Sequence, residues 1–241
     1  MALGFTELAA ISTSTLNAES YLAATSGNPA AGDLLISFVA ANATVAAGGM
    51  TGTWTWNLIR QFTHNGGVDS MYVFYAYASA TTATQPTFTC TGDAASSCEI
   101  YTFRVTGSSG IATADIRQWA TATGTAANPV VTMPKAILTT SGCLSMVASN
   151  GTAPTIYTAP TNWTGKVEAG TGTGPRHSTA LASRVSGETG TTVTWTRAGT
   201  DPWGLIVLEL NILGGISRQP GGGAYSSPMT YYWDRLTIIL R

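Results

Sequence analysis

Short apolar runs alternate with turn-forming residues along the chain. Leu34 to Val39 (LLISFV) is a continuous apolar run after the turn signal Asn28-Pro29-Ala30-Ala31-Gly32-Asp33. Met71 to Tyr77 (MYVFYAY), aromatic and β-branched, follows Asn65-Gly66-Gly67. Thr87 to Thr91 and Glu99 to Val105 alternate with period two, the latter placing Tyr101, Phe103 and Val105 on one face. Cys143 to Ala148, Thr179 to Val185, Thr191 to Thr196 and Leu205 to Leu210 complete the predicted strands. No apolar stripe of period 3.6 reaches helical length, and the residues between the runs are mostly Gly, Thr, Ala, Asn and Pro. The pattern predicts an all-β protein, a two-sheet antiparallel β-sandwich.

The pattern also repeats. At an offset of 105 residues Thr87–Thr91 (TFTCT) lies over Thr192–Thr196 (TVTWT), and Glu99–Val105 lies over Gly204–Leu210. Arg104 then matches Glu209. At an offset of 110, Gly32-Asp33-Leu34-Leu35 resembles Gly142-Cys143-Leu144-Ser145, and Trp54 falls near Trp163. Two related halves, about residues 20–110 and 130–213, predict a jelly-roll-like sandwich of about eight strands spanning residues 1–213.

Residues 214–241 differ. A flexible Gly/Pro-rich segment (Gly214-Gly215, Pro220-Gly221-Gly222-Gly223) leads into a strongly apolar stretch. Its candidate interface residues are Tyr231, Tyr232, Trp233, Leu236, Ile238, Ile239 and Leu240. Left exposed, such a strand is an aggregation hazard. Two fates are open to this C-terminal arm: completing its own sandwich, or adding to the edge of a neighbouring subunit through main-chain hydrogen bonds.

Composition narrows the function. Charged residues are 10% of the 241, where a soluble domain averages about 25%. There are 40 threonines but only two lysines, Lys135 and Lys166. A net charge of −1 and a pI near 6.1 argue against nucleic-acid binding. No apolar run approaches the ~18 residues of a membrane helix. The N-terminal residues show neither the basic nor the apolar region of a secretory signal, so none is expected. Immobilising Lys is entropically costly and buried charge is costly to desolvate, so sparse charge suits a surface covered by neighbours.

Little catalytic chemistry is legible. Cys90, Cys98 and Cys143 are an odd count and are read as free thiols, although Cys90 and Cys98 flank one loop. His64 and His177 have no ligand partner at metal-binding spacing, so no metal and no cofactor are expected. Glu99 and Glu209 lie in strands and are read as solvated. No catalytic residue is assigned, and the protein is not expected to be an enzyme. Trp54 and Trp56, two apart and therefore on one face of a strand, are candidates for stacking a sugar beside Asn57. The Asn-x-Thr triplets at Asn42, Asn150 and Asn162 carry little weight without a secretory route.

The series Ala31 to Val39, the Thr/Gly stretch with Trp54 and Trp56, the aromatic strand Tyr72 to Tyr77, and later Gly190 to Trp195 and Leu205 to Leu208 resemble a β-sandwich recurrent in tailed-bacteriophage virions. The likeness covers about residues 20–213. It implies a structural role as a head-decoration (cement) protein, head fibre or tail component, made in the host cytoplasm and carried on the virion. The implied partners are the major capsid protein or other virion subunits, with a homo-oligomer expected and a trimer favoured. The alternative is a carbohydrate-binding or adhesive module of a phage fibre or bacterial surface.

Overall fold

The computed structural model describes residues 3–13, 20–22, 29–41, 45–81, 86–92, 98–107, 115–151, 155–168 and 176–211. These residues are built almost wholly from strands. The first half contains β1 (Gly4–Thr13), β2 (Ser20–Leu22), β3 (Leu34–Ala41), β4 (Val45–Thr51), β5 (Asn57–His64), β6 (Asp69–Tyr77), β7 (Thr87–Gly92) and β8 (Cys98–Thr106). The second contains β9 (Ile116–Gly124), β10 (Val130–Thr132), β11 (Gly142–Gly151), β12 (Tyr157–Thr158), β13 (Thr164–Glu168), β14 (Arg176–Arg184), β15 (Thr192–Thr194), β16 (Thr196–Arg197) and β17 (Trp203–Leu210). The fold is an all-β, antiparallel sandwich. It carries eight or nine strands in each half, where about eight were expected for the whole.

Both halves follow one plan. The large sheet of the first half runs β1-β8-β3-β6-β5, and that of the second, read from its other edge, runs β9-β17-β11-β14-β13. First strand lies beside last, and last beside third, in each. A smaller sheet covers the outer face: β2-β7-β4 on the first half, the pairs β10-β15 and β12-β16 on the second. The run Thr191–Thr196 breaks at Trp195, whose side chain is fully buried and separates β15 from β16.

The register sharpens the repeat. Leu34 stands opposite Val105, and the aligned Leu210 stands opposite Gly142. The true counterpart of Leu34 is thus Gly142, 108 residues on, and not Leu144 at 110. The two-residue slip preserves the facing of every side chain. It also brings out identities between β3 and β11: Ser37 with Ser145, Val39 with Val147, Ala40 with Ala148.

Burial follows from the layering. The two large sheets stack face to face, and Leu34, Ile36, Phe38, Met71, Val73, Tyr101, Leu144, Met146, Leu181, Ile206 and Leu208 form one core between them. Each large sheet has a second core under its small sheet. Val39, Tyr72, Phe74, Phe88 and Ile100 fill the first, and Val147, Tyr157, Val193, Trp195, Leu205 and Val207 the second. Central strands β3 and β17 are therefore buried on both faces, which is why they read as continuous apolar runs. The central contact is reciprocal. The Tyr101 hydroxyl of β8 lies 2.7 Å from Thr179 Oγ1 of β14. In the other direction β17 meets β6 two residues from Ile206, the counterpart of Tyr101: a Cβ added at Gly204 would lie 2.8 Å from Met71 Sδ. Thr179 and Met71 hold matching positions in the two halves, as across an isologous interface.

Candidate functional site

The chain enters β1, crosses between halves and leaves β17 at one end of the stacked sheets. Gly4 pairs with Thr106 there, Leu210 pairs with Ile116, and a Cβ at Gly142 would lie 2.7 Å from the Phe5 ring. The exit is anchored. The Asn211 N–H donates to the Asp115 carbonyl at 2.8 Å, and the Tyr77 hydroxyl donates to the Asp115 carboxylate at 2.8 Å, tying the halves together. Burial, then the Asp115 carboxylate, pushes the Tyr77 phenol up, so it remains a donor.

Two loops of the second half flank this exit, residues 133–141 and 185–191. They are laced by Gly187 N–H to Thr139 O and Ile137 N–H to Gly190 O, both 2.7 Å. Beneath them lies Glu209, fully buried. Its carboxylate accepts from Arg117, from Gln118 and from the Leu138 N–H at 2.9 Å. Burial opposes its ionisation, but the hydrogen bonds from Leu138, Gln118 and Arg117 outweigh that and hold the carboxyl below its usual value. Arg184 binds Glu188 at 3.0 Å, and Trp163 Nε1–H donates to the same carboxylate at 2.7 Å. On this braced surface Leu138 and Val185 stand 45% and 49% exposed. The end of the sandwich is thus a rigid rim with apolar tips beside the point where residues 212–241 begin.

The arm residues Tyr231, Tyr232, Trp233, Leu236, Ile238, Ile239 and Leu240 lie outside the described residues. Trp54 and Trp56 do not share a strand; both sit in the connection between β4 and β5. Trp54 is 5% exposed and packed with Leu35, Ala76 and Ala78, and the half-buried Trp56 packs against the same cluster. Stacking a sugar needs an open ring face, which Trp54 lacks. The backbone register pairs Trp56 rather than Trp54 with Trp163: the residue after each stands opposite an equivalent position, Asn57 on Tyr75 and Thr164 on Ser183.

The charged residues also depart from expectation. Glu99 and Glu209 are buried, not solvated, because their strands have covered outer faces. Glu209 and Arg104 hold aligned positions with opposite charge, and each finds its own partner, Arg117 and Asp33 respectively. Asp69 lies in β6 and stands opposite His64 in the register, both buried where the halves meet. Its carboxylate accepts from Asn65 at 2.8 Å and from Asn150 of the second half at 3.2 Å. Sequence spacing hid this grouping because Asn150 is 81 residues from Asp69. Among the described residues no group of three or more His, Cys, Asp or Glu is placed to hold a metal ion, and no helix is long and apolar enough to cross a membrane. Cys98 and Cys143 are both buried, and Cys143 is a free thiol. Burial, reinforced by Glu209 and Glu188, pushes the Cys143 thiol up to about 12.

Comparison with protein-family models, with curated proteins and with solved structures gave no match.

Proposed function

We propose that the protein is a structural subunit of a bacteriophage virion, a decoration or cement protein that binds the major capsid protein and neighbouring copies of itself. The observation that carries the reading is the exit end. A braced rim with exposed Leu138 and Val185 adjoins Asn211, where the chain runs on toward a Gly-rich tether and a strongly apolar terminal stretch. An apolar terminal stretch beyond a Gly-rich segment suits edge addition to a neighbour. The polar groups of the body support the same reading, since Arg104, Arg117 and Arg184 spend their charge on internal carboxylates. In each half the first strand pairs with the last, the second with the seventh, and the third with the sixth and last. That order supports a jelly roll with its fifth strand moved to the larger sheet.

The test is assembly. The full chain should form a homo-oligomer, a trimer by light scattering, and co-sediment with purified capsids. Removing residues 214–241 should abolish both while circular dichroism and thermal unfolding of the sandwich stay unchanged. A truncated protein that still assembles and binds would overturn the role of the arm. A full chain that neither self-associates nor binds capsids would overturn the proposal.

A further inference from the structure

Two side-chain amides converge on one carboxylate where the halves meet. Asn65 Nδ2–H donates to Asp69 Oδ2 at 2.8 Å, and Asn150 Nδ2–H donates to Asp69 Oδ1 at 3.2 Å. Each of these asparagines is followed by a glycine, Gly66 and Gly151. An Asn-Gly step is prone to cyclise, because glycine has no Cβ to keep its nitrogen away from the side-chain carbonyl carbon. The backbone decides whether it does so: ψ of the asparagine must turn the following nitrogen onto Cγ.

The two steps differ in that freedom. Asn150 and Gly151 lie in β11, opposite His177 and Arg176 of β14, and the Asn150 N–H donates to Pro202 O at 3.4 Å. Strand pairing holds that backbone extended. Asn65 instead opens the turn Asn65–Gly67 between β5 and β6, in which all three residues have positive φ, 52°, 67° and 93°. The bond that closes the turn runs from Val68 N–H to Asn65 O at 3.3 Å. Asn65 is half-buried and Gly66 exposed. Beyond the adjoining residues, no described atom lies within 4 Å of a Cβ built on Gly66 or Gly67, so the turn has room to rotate.

We propose that Asn65 is a site of self-modification: it converts spontaneously to aspartate and isoaspartate, and the new carboxylate breaks the contact with Asp69. The Gly66 nitrogen gives its proton to solvent hydroxide and attacks Asn65 Cγ. A bond forms between that nitrogen and Cγ, the Cγ–Nδ2 bond breaks, and Nδ2 takes a proton from water and leaves as ammonia. Water then opens the five-membered imide. Opening at Cγ gives aspartate, and opening at the backbone carbonyl gives isoaspartate. Either product replaces an amide donor by a carboxylate facing the buried Asp69 carboxylate, and like charges so placed repel. Asp69 is also the group that Asn150 of the second half binds, so the change is aimed at a tie between the halves.

The full chain is aged in warm, mildly alkaline buffer and mapped by peptide mass spectrometry. Both products should appear at residue 65 while the Asn150 amide stays intact, and the converted fraction should unfold at lower urea. Asn65→Asp should lower the urea midpoint in the same way. Combining it with Asp69→Asn again sets one amide against one carboxylate and should recover most of the loss. An Asn65 that stays intact after the same step in the free peptide Gln61–Ser70 has converted, or an Asn150 that converts as fast, would overturn the proposal. So would an unchanged midpoint in Asn65→Asp, or a double variant no more stable than that single one.

Discussion

Glu209 shows how one side chain can set an acid limit. Its folded carboxyl ionises more readily than an ordinary one, whose value is 4.5, so the folded state binds fewer protons than the unfolded chain near that pH. Its contribution is fully present above about 4.5 and is lost as pH falls through the lower folded value. Glu209→Gln should cost about 3 kcal/mol at neutral pH by leaving Arg117 uncompensated, and should flatten the loss of stability in acid. Urea titrations between pH 3 and 7 check both. Cys143 gives a second expectation. A buried thiol pushed up to about 12 is not a thiolate at pH 8, so it should stay unlabelled by a thiol reagent until denaturant is added, as peptide mass mapping would read. The identities of these residues were legible in the sequence, but their surroundings were not. Glu209 reads as an outward strand position because period-two alternation cannot tell water from a second covering layer.

At the scale of the element, the sequence served best where both faces are buried. The cores of β3, β6, β8, β11 and β17 are apolar because a sheet lies on each side of them, and each was predicted within a few residues. The edge strands escaped notice. β5 and β9 are half-exposed along most of their length and mix polar with apolar residues, so no apolar alternation marks them. Their place is fixed by pairing with β6 and β17 and by contact across the stack, where the Arg60 guanidinium sits 4.9 Å from the Trp119 ring. The tight stack also gives a prediction. In Gly204→Ala the new methyl would meet Met71 Sδ and His64 Cδ2, both at 2.8 Å. Overpacking of this kind should cost about 1–3 kcal/mol, measured as a lower midpoint in urea. Gly165→Ala, on the peripheral β13 and against the Ala159 methyl, should cost less in the same assay.

For the molecule as a whole, the decisive feature is the core between the two large sheets. It draws side chains from both halves, with the Tyr101–Thr179 hydroxyl pair crossing it. Heat or urea should therefore unfold residues 3–211 in one transition, and Met146→Ala should lower that single midpoint, by about 2–5 kcal/mol in stability. Two resolved calorimetric transitions would contradict the shared core. The sequence by itself determined the all-β class, the central strands and the existence of a repeat, since alternation and turn chemistry are local and survive without knowing what lies opposite. It also marked the apolar stretch beyond residue 213. Only the tertiary structure decided that each half owns a small outer sheet, that the repeat runs at 108 residues between β3 and β11, and that Trp54 and Glu209 face inward. It alone brought Asn150 to Asp69. Those facts depend on which surfaces are covered by chain some 80 to 100 residues away, and burial, not the residue type, sets the cost of a charge or an unpaired donor.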